Sequence, residues 1–155
     1  MEEEEEEEIS IPTNEELWDS IVIVEGIDKA DNLITLAIGY DTKEDAPFAL
    51  ALADEAAQIY LEHGVHDQQE QWVWVHGVRA ERKAWLGFYD EAIESGVKTL
   101  ALCDAYLVGC YQHLWLEIID WYLKTSRYDE AEAHVKKMIE REKEFPEMVK
   151  YLLAA

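Results

Sequence analysis

Apolar residues recur along this chain at helical rather than strand spacing, with polar positions on the opposite faces. Leu17, Trp18, Ile21 and Val24 fall on one stripe behind Thr13-x-x-Glu16, whose capping-box spacing predicts a helix from about Asn14. The β-branched run Ile21-Val-Ile-Val24 also fits a strand, but the cap favours the helix. Gly26 and Asp28 break the chain before a second predicted helix over about 30–40. A third is predicted over 44–63, with Pro47 in the first turn, where its missing N–H costs nothing, and Gly64 as the stop. Its Ala46, Ala49, Ala53 and Ala56 form a small-residue stripe that admits a close neighbour.

A fourth helix is predicted over 67–86, with Trp72, Val75 and Val78 inward, which leaves Trp74 off that face. Gly87 ends it, and a fifth follows over 89–103. The sixth, over 104–124, is apolar nearly all round, from Leu107 and Val108 through Leu114, Trp115, Leu116, Ile118, Ile119, Trp121 and Tyr122. Such a helix is expected to be central and covered on two sides, with Trp115 and Trp121 in the core. A seventh, over 128–143, carries Ala131, Val135, Met138 and Ile139 on its apolar stripe. Pro146 then opens a short last helix whose Met148, Val149, Leu152 and Leu153 are placed to cap the stack. The expectation is an all-α domain over 13–155, built from stacked antiparallel hairpins of about seven to eight helices.

The turn before the seventh helix recurs. Trp115-x6-Tyr122 followed by Thr125-Ser-Arg-Tyr-Asp-Glu-Ala131 has a second copy at Gly87-Phe-Tyr-Asp-Glu-Ala92 and a third around 40–49. This pattern resembles the tetratricopeptide repeat, a helix–turn–helix with W-x2-L-G-x2-Y in its first helix and Ala in its second. Trp115, Tyr122 and Ala131 match in register; Ile118 stands for Leu, and Ile119 replaces the small residue. Leu36, Ala37, Tyr40, Ala49, Ala53 and Ala56 align in the first unit. In the middle unit Ala80 takes the small position and Lys83 the Tyr position, while Gly96 and Thr99 lie in the second helix. Alanines 49, 92 and 131 are 43 and 39 residues apart rather than 34, so the repeats are divergent. The resemblance spans about 30–145 and implies a concave groove, lined by the first helix of each pair, that receives a peptide or partner helix. Groove residues are then sought on 30–40, 67–86 and 104–124, with Tyr111 among them.

Charge adds a second theme. The chain carries 35 acidic against 13 basic residues, a net −22. Residues 1–78 hold 21 carboxylates and two lysines, Lys29 and Lys43, for −19, whereas residues 79–155 sum to −3. Such a field disfavours direct nucleic-acid or anionic-membrane binding and attracts basic surfaces; it also simply solubilises. Glu2, Glu3, Glu4, Glu5, Glu6, Glu7 and Glu8 form an acidic tail, with 1–12 expected to stay extended in solvent. No membrane-length apolar run and no basic, apolar leader is visible, so a cytoplasmic setting is expected. Cys103 and Cys110, seven apart on one predicted helix, would lie about 10 Å apart along its axis, too far for a disulfide.

Candidate chemistry is sparse. His63-x2-His66 with Glu62 and Asp67, and Cys103, Cys110 and His113 on one helical face, are the only metal-like groupings; each reads more simply as loop or packing residues, so no metal or cofactor is expected. No phosphate loop, nucleophile elbow or H-E-x-x-H occurs, and no enzyme activity is expected. Arg79, Arg82 and Lys83 form a basic cluster that either pairs with nearby acids or offers a cationic spot to a partner's carboxylate or the chain's own acidic tail. Trp74 is the aromatic most open to a partner. The functional expectation is a non-catalytic protein-interaction module contacting its partner through Trp74, Arg79, Arg82, Lys83 and Tyr111. The alternative is an acidic inhibitor, an immunity-type protein or nucleic-acid mimic, covering the basic surface of a nuclease or other nucleic-acid-binding protein.

Overall fold

The Thr13 capping box forms as its spacing requires. Glu16 N–H donates to Thr13 Oγ1 at 3.2 Å, and Thr13 N–H donates back to Glu16 Oε2 at 3.3 Å. This opens α1 (Asn14–Ile21) in the computed structural model, which describes residues 13–21 and 24–144. The acidic tail, Val22, Ile23 and the helix expected after Pro146 lie outside the described residues. There follow α2 (Gly26–Gly39), α3 (Ala46–Glu62), α4 (Trp72–Trp85), α5 (Tyr89–Tyr106), α6 (Leu114–Lys124) and α7 (Tyr128–Glu144), with no strand among the described residues. The fold is all-α. Each helix packs on the next in sequence, and α2 also touches α4.

The turns explain why the helices fold back on one another. Gly64, Gly87, Leu107 and Ser126 all take positive φ just past a helix end. In each case the next N–H returns to a carbonyl one turn inside the helix: Val65 to Tyr60, Phe88 to Lys83, Val108 to Cys103, Arg127 to Tyr122. These closures satisfy carbonyls that a helix end would otherwise orphan. The α4–α5 and α6–α7 turns are the same motif at the positions where the sequence repeats. Ala49, Ala92 and Ala131 are each the fourth residue of their helix, and each is buried.

Two apolar clusters result. One joins α2, α3 and the first half of α4 around Leu33, Leu36, Ala53, Tyr60, Trp72 and Val75. The other joins the end of α4 to α5, α6 and α7 around Ile93, Leu114, Trp115, Ile118 and Trp121. The small-residue stripe of α3 is fully buried, as its pattern predicts, and Pro47 sits in the first turn. Gly96 plays the same spacing role: a Cβ there would meet Ile118 Cδ1 at 2.9 Å.

Several expectations need correction. The sixth helix does not begin at 104. Residues 104–106 finish α5, Leu107 reverses the chain with 72% of its surface exposed, and α6 starts only at Leu114. Leu116 and Leu123 are exposed, so α6 is open on one flank rather than covered on two sides. Cys103 and Cys110 therefore do not share a helix: the connection folds back and places Cys103 Sγ 3.3 Å from the Cys110 carbonyl oxygen. The α4 start moves from 67 to Trp72, whose indole N–H donates to Val65 O at 3.1 Å, and α2 starts earlier than 30, at Gly26. Trp18, on the α1 stripe, is 37% exposed yet makes specific contacts: it stacks on Phe48 at 5.9 Å and donates to the Tyr40 hydroxyl at 3.1 Å.

Candidate functional site, a groove across α2, α4 and α6

On α4, Trp74, Glu81 and Trp85 stand at i, i+7 and i+11, which returns to one face three turns later. That face spans about 16 Å at 1.5 Å per residue. It looks across to Ile34, Thr35 and Ile38 of α2 on one side and to Glu117 and Trp121 of α6 on the other. Three depressions result. The first, about 370 Å³, lies between Asp31, Ile38, Tyr60 and Trp74. The second, about 480 Å³, is walled by Ile38, Trp74, Glu81, Trp85, Tyr111 and His113. The third, about 440 Å³, lies between Trp85, Tyr89, Glu117, Trp121 and Lys124. Ile38 and Trp74 border the first two, and Asp41 and Trp85 border the last two, so the depressions run together as one groove.

Tyr111 closes the floor between the two cores and packs against both. It lies in the α5–α6 connection at φ 62°, a left-handed backbone that a bulky residue rarely adopts. Its ring covers Gly77, where a Cβ would come within 2.3 Å of the ring Cζ. Burial, with Glu81 nearby, pushes the phenol well above its usual range, so it stays protonated.

The groove is also polar along its length. His113 Nε2 lies 3.4 Å from Glu81 Oε1, and that hydrogen bond raises the His113 pKa. Desolvation between the helices raises the Glu117 carboxyl, opposed by His113. Cys110 borders the groove, but burial raises its thiol, which leaves it a poor nucleophile. The arrangement presents carboxylates and aromatic faces; it suits holding a cation or an apolar side chain.

The five residues singled out from the sequence separate here. Trp74, Arg82 and Tyr111 border the same depression. Arg79 faces away, pairing with Asp54 of α3 at 2.8 Å, and Lys83 reaches Glu91 of α5 at 3.5 Å. The basic cluster is thus no patch: its members serve three different neighbours. Arg82, only 4% exposed, turns to the carboxyl end of α2 and donates to the carbonyls of Ala37, Ile38 and Tyr40 at 3.1–3.3 Å. Its guanidinium also lies 4.5 Å from the centre of the Trp85 ring. It clamps a helix terminus, where positive charge is favoured. Trp85 and His113 belong to the groove but not to that set; the i+11 spacing from Trp74 was the available signal for Trp85.

Among the described residues no group of three or more His, Cys, Asp or Glu is arranged to hold a metal ion. His63 directs Nδ1 at its own helix, 2.9 Å from Ile59 O. Among the described residues no helix is long and apolar enough to cross a membrane. Comparison with protein-family models, with curated proteins and with solved structures finds no match for this chain.

Proposed function

We propose that this chain is a non-catalytic protein-interaction module, a divergent tetratricopeptide-like stack whose groove seats a peptide or an extended segment of a partner protein. The observation that carries it is the continuous groove across α2, α4 and α6, with Trp74, Trp85 and Tyr111 along it. Those are the first helices of the three hairpins, the face such repeats use for ligands. Recurrent αL turns and the buried alanines of α3, α5 and α7 support the repeat reading. Cysteines that remain unpaired suit a cytoplasmic setting.

The experiment is affinity capture with the full chain as bait, alongside a Trp85→Leu variant of equal thermal stability. Partners retained by the parent and lost by the variant fit the groove. Partners retained equally by both place the contact elsewhere and refute this reading.

The charge favours a second reading. A net −22 supports an acidic inhibitor covering a basic surface of a nucleic-acid-handling protein. Its complex should dissociate steeply as salt rises, because exposed charges are screened beyond about 8 Å near physiological ionic strength. An affinity that is flat with salt counts against it.

A further inference from the structure

We infer that the segment seated in the groove is basic, with a Lys or Arg side chain of a partner protein entering between Trp74, Trp85 and Tyr111 against the carboxylates of Glu81 and Asp41. This rests on the interaction-module reading and specifies its partner. Shape and charge combine to select the occupant. The middle depression, about 480 Å³, is walled by two indoles and a phenol ring, and aromatic faces attract cations through the ring quadrupole. Among the described residues five carboxylates line the groove: Asp31, Asp41, Glu70, Glu81 and Glu117.

Among the described residues the cations along it are Arg82, Lys43 and Lys124, with His113 a further one when protonated, and Arg82 and Lys124 have other partners besides the groove. Arg82 donates to three carbonyls at the end of α2 and covers one face of Trp85, which leaves the other groove-facing ring surfaces to an occupant, and Lys124 is held 3.0 Å from Asp120. Glu81 already accepts from His113 at 3.4 Å and faces Arg82 at 3.6 Å, but a carboxylate has about four acceptor sites and can take a further donor. An occupant with acidic side chains would face like charge, and a purely apolar one would strip water from carboxylates without replacing it. A Lys or Arg side chain meets both demands: its methylene stem packs between the rings and its head reaches the carboxylates. A second copy of the chain, itself strongly acidic, fits poorly.

The test is to pan a phage-displayed library of random peptides against the full chain at about 0.15 M salt, where exposed-charge attraction is largely screened. Enriched peptides are resynthesised with a fluorescent label and titrated by anisotropy. The expected result is enrichment of Lys or Arg flanked by apolar residues. Those peptides should lose about tenfold in affinity to Glu81→Gln and to Trp85→Leu, with a smaller loss to Asp41→Asn, an exposed position that keeps the test open should Glu81→Gln destabilise the fold. Peptides without Lys or Arg that still depend on Trp85 would overturn the basic occupant and leave the groove reading standing. No enrichment, or binding indifferent to Trp85→Leu, would overturn both.

Discussion

Replacing Gly77 by Ala isolates the contact that shapes the groove floor. An added Cβ would lie 2.3 Å from Tyr111 Cζ and 2.6–2.7 Å from both ring Cε atoms. Carbon atoms at rest stand about 3.5–4.0 Å apart, so the ring must retreat by more than about 1 Å. It has little room, because it packs against both core clusters and its backbone is already left-handed. Overpacking of this kind costs about 1–3 kcal/mol. Opposing it, Ala in the middle of a helix is favoured over Gly by about 1 kcal/mol. The balance is a net loss of up to about 2 kcal/mol, or several degrees in melting temperature for a chain of this size.

The sign of the second term makes the argument decisive. With Tyr111→Ala the ring is gone, and Gly77→Ala should then stabilise by about 1 kcal/mol through helix propensity alone. Urea unfolding followed by circular dichroism on the parent, both single variants and the double variant gives the cycle directly. A Gly77→Ala that destabilises equally with and without the Tyr111 ring would refute the contact.

Arg82→Met should cost about 2–3 kcal/mol in the same assay, because it leaves carbonyls at the end of α2 without their charged donor; a neutral outcome would show that water replaces the clamp. Arg141, a buried residue of α7 bonded to Asp104 and Gln112, should lose about 1–3 kcal/mol on substitution by Ala, most of it from the buried Gln112 left without its donor, because Asp104 is 39% exposed and its charge stays solvated; Asp104→Asn should then recover little. His76, buried against Trp72, is held down to about 4 by desolvation first and by Arg79 next. Its unfolded value is near 6.5, so the unfolded chain binds more protons between those values, and stability should fall as pH drops from about 6.5 to 4, by on the order of 3 kcal/mol. Unfolding of His76→Leu across that range should show a shallower decline, and an unchanged slope would assign the effect to other groups.

Local signals were legible where one residue type has one physical use. The capping box, the position of Pro47, the alanine stripe and the inward Trp72, Val75 and Val78 all follow from backbone chemistry or helical period, and all appear in the fold. The α5–α6 boundary was not legible by the same route. Apolar residues run from Leu100 through Val108 with Asp104 alone among them, so period alone merges two helices, and the reversal uses Leu107 where Gly or Asn would be expected. Only Gly109 marked the loop. Arg82 misleads for a different reason: its partners are main-chain carbonyls 42–45 positions away, and no side-chain pattern encodes a carbonyl. Arg79, Arg82 and Lys83 are close in sequence, yet α3, α2 and α5 all flank that turn of α4, so the three side chains part.

Charge and aromatic surface make separable contributions to binding on such a face. Exposed ion pairs are worth about 0–1 kcal/mol each and weaken with salt. Trp74, Trp85 and Tyr111 are already largely buried in the free chain, so a partner covers only the ring area still exposed, worth about 25 cal/mol per Å² and little affected by salt. Trp74, Trp85 and Tyr111 should therefore set how long a partner stays, while the −22 field sets how fast a basic partner arrives. A groove-seated partner then shows a salt-dependent association rate with a nearly constant dissociation rate. A partner held only by the acidic surface shows both rates moving with salt. Stopped-flow measurement at two ionic strengths separates them, and a dissociation rate that climbs with salt yet ignores Trp85→Leu would favour the inhibitor over the groove.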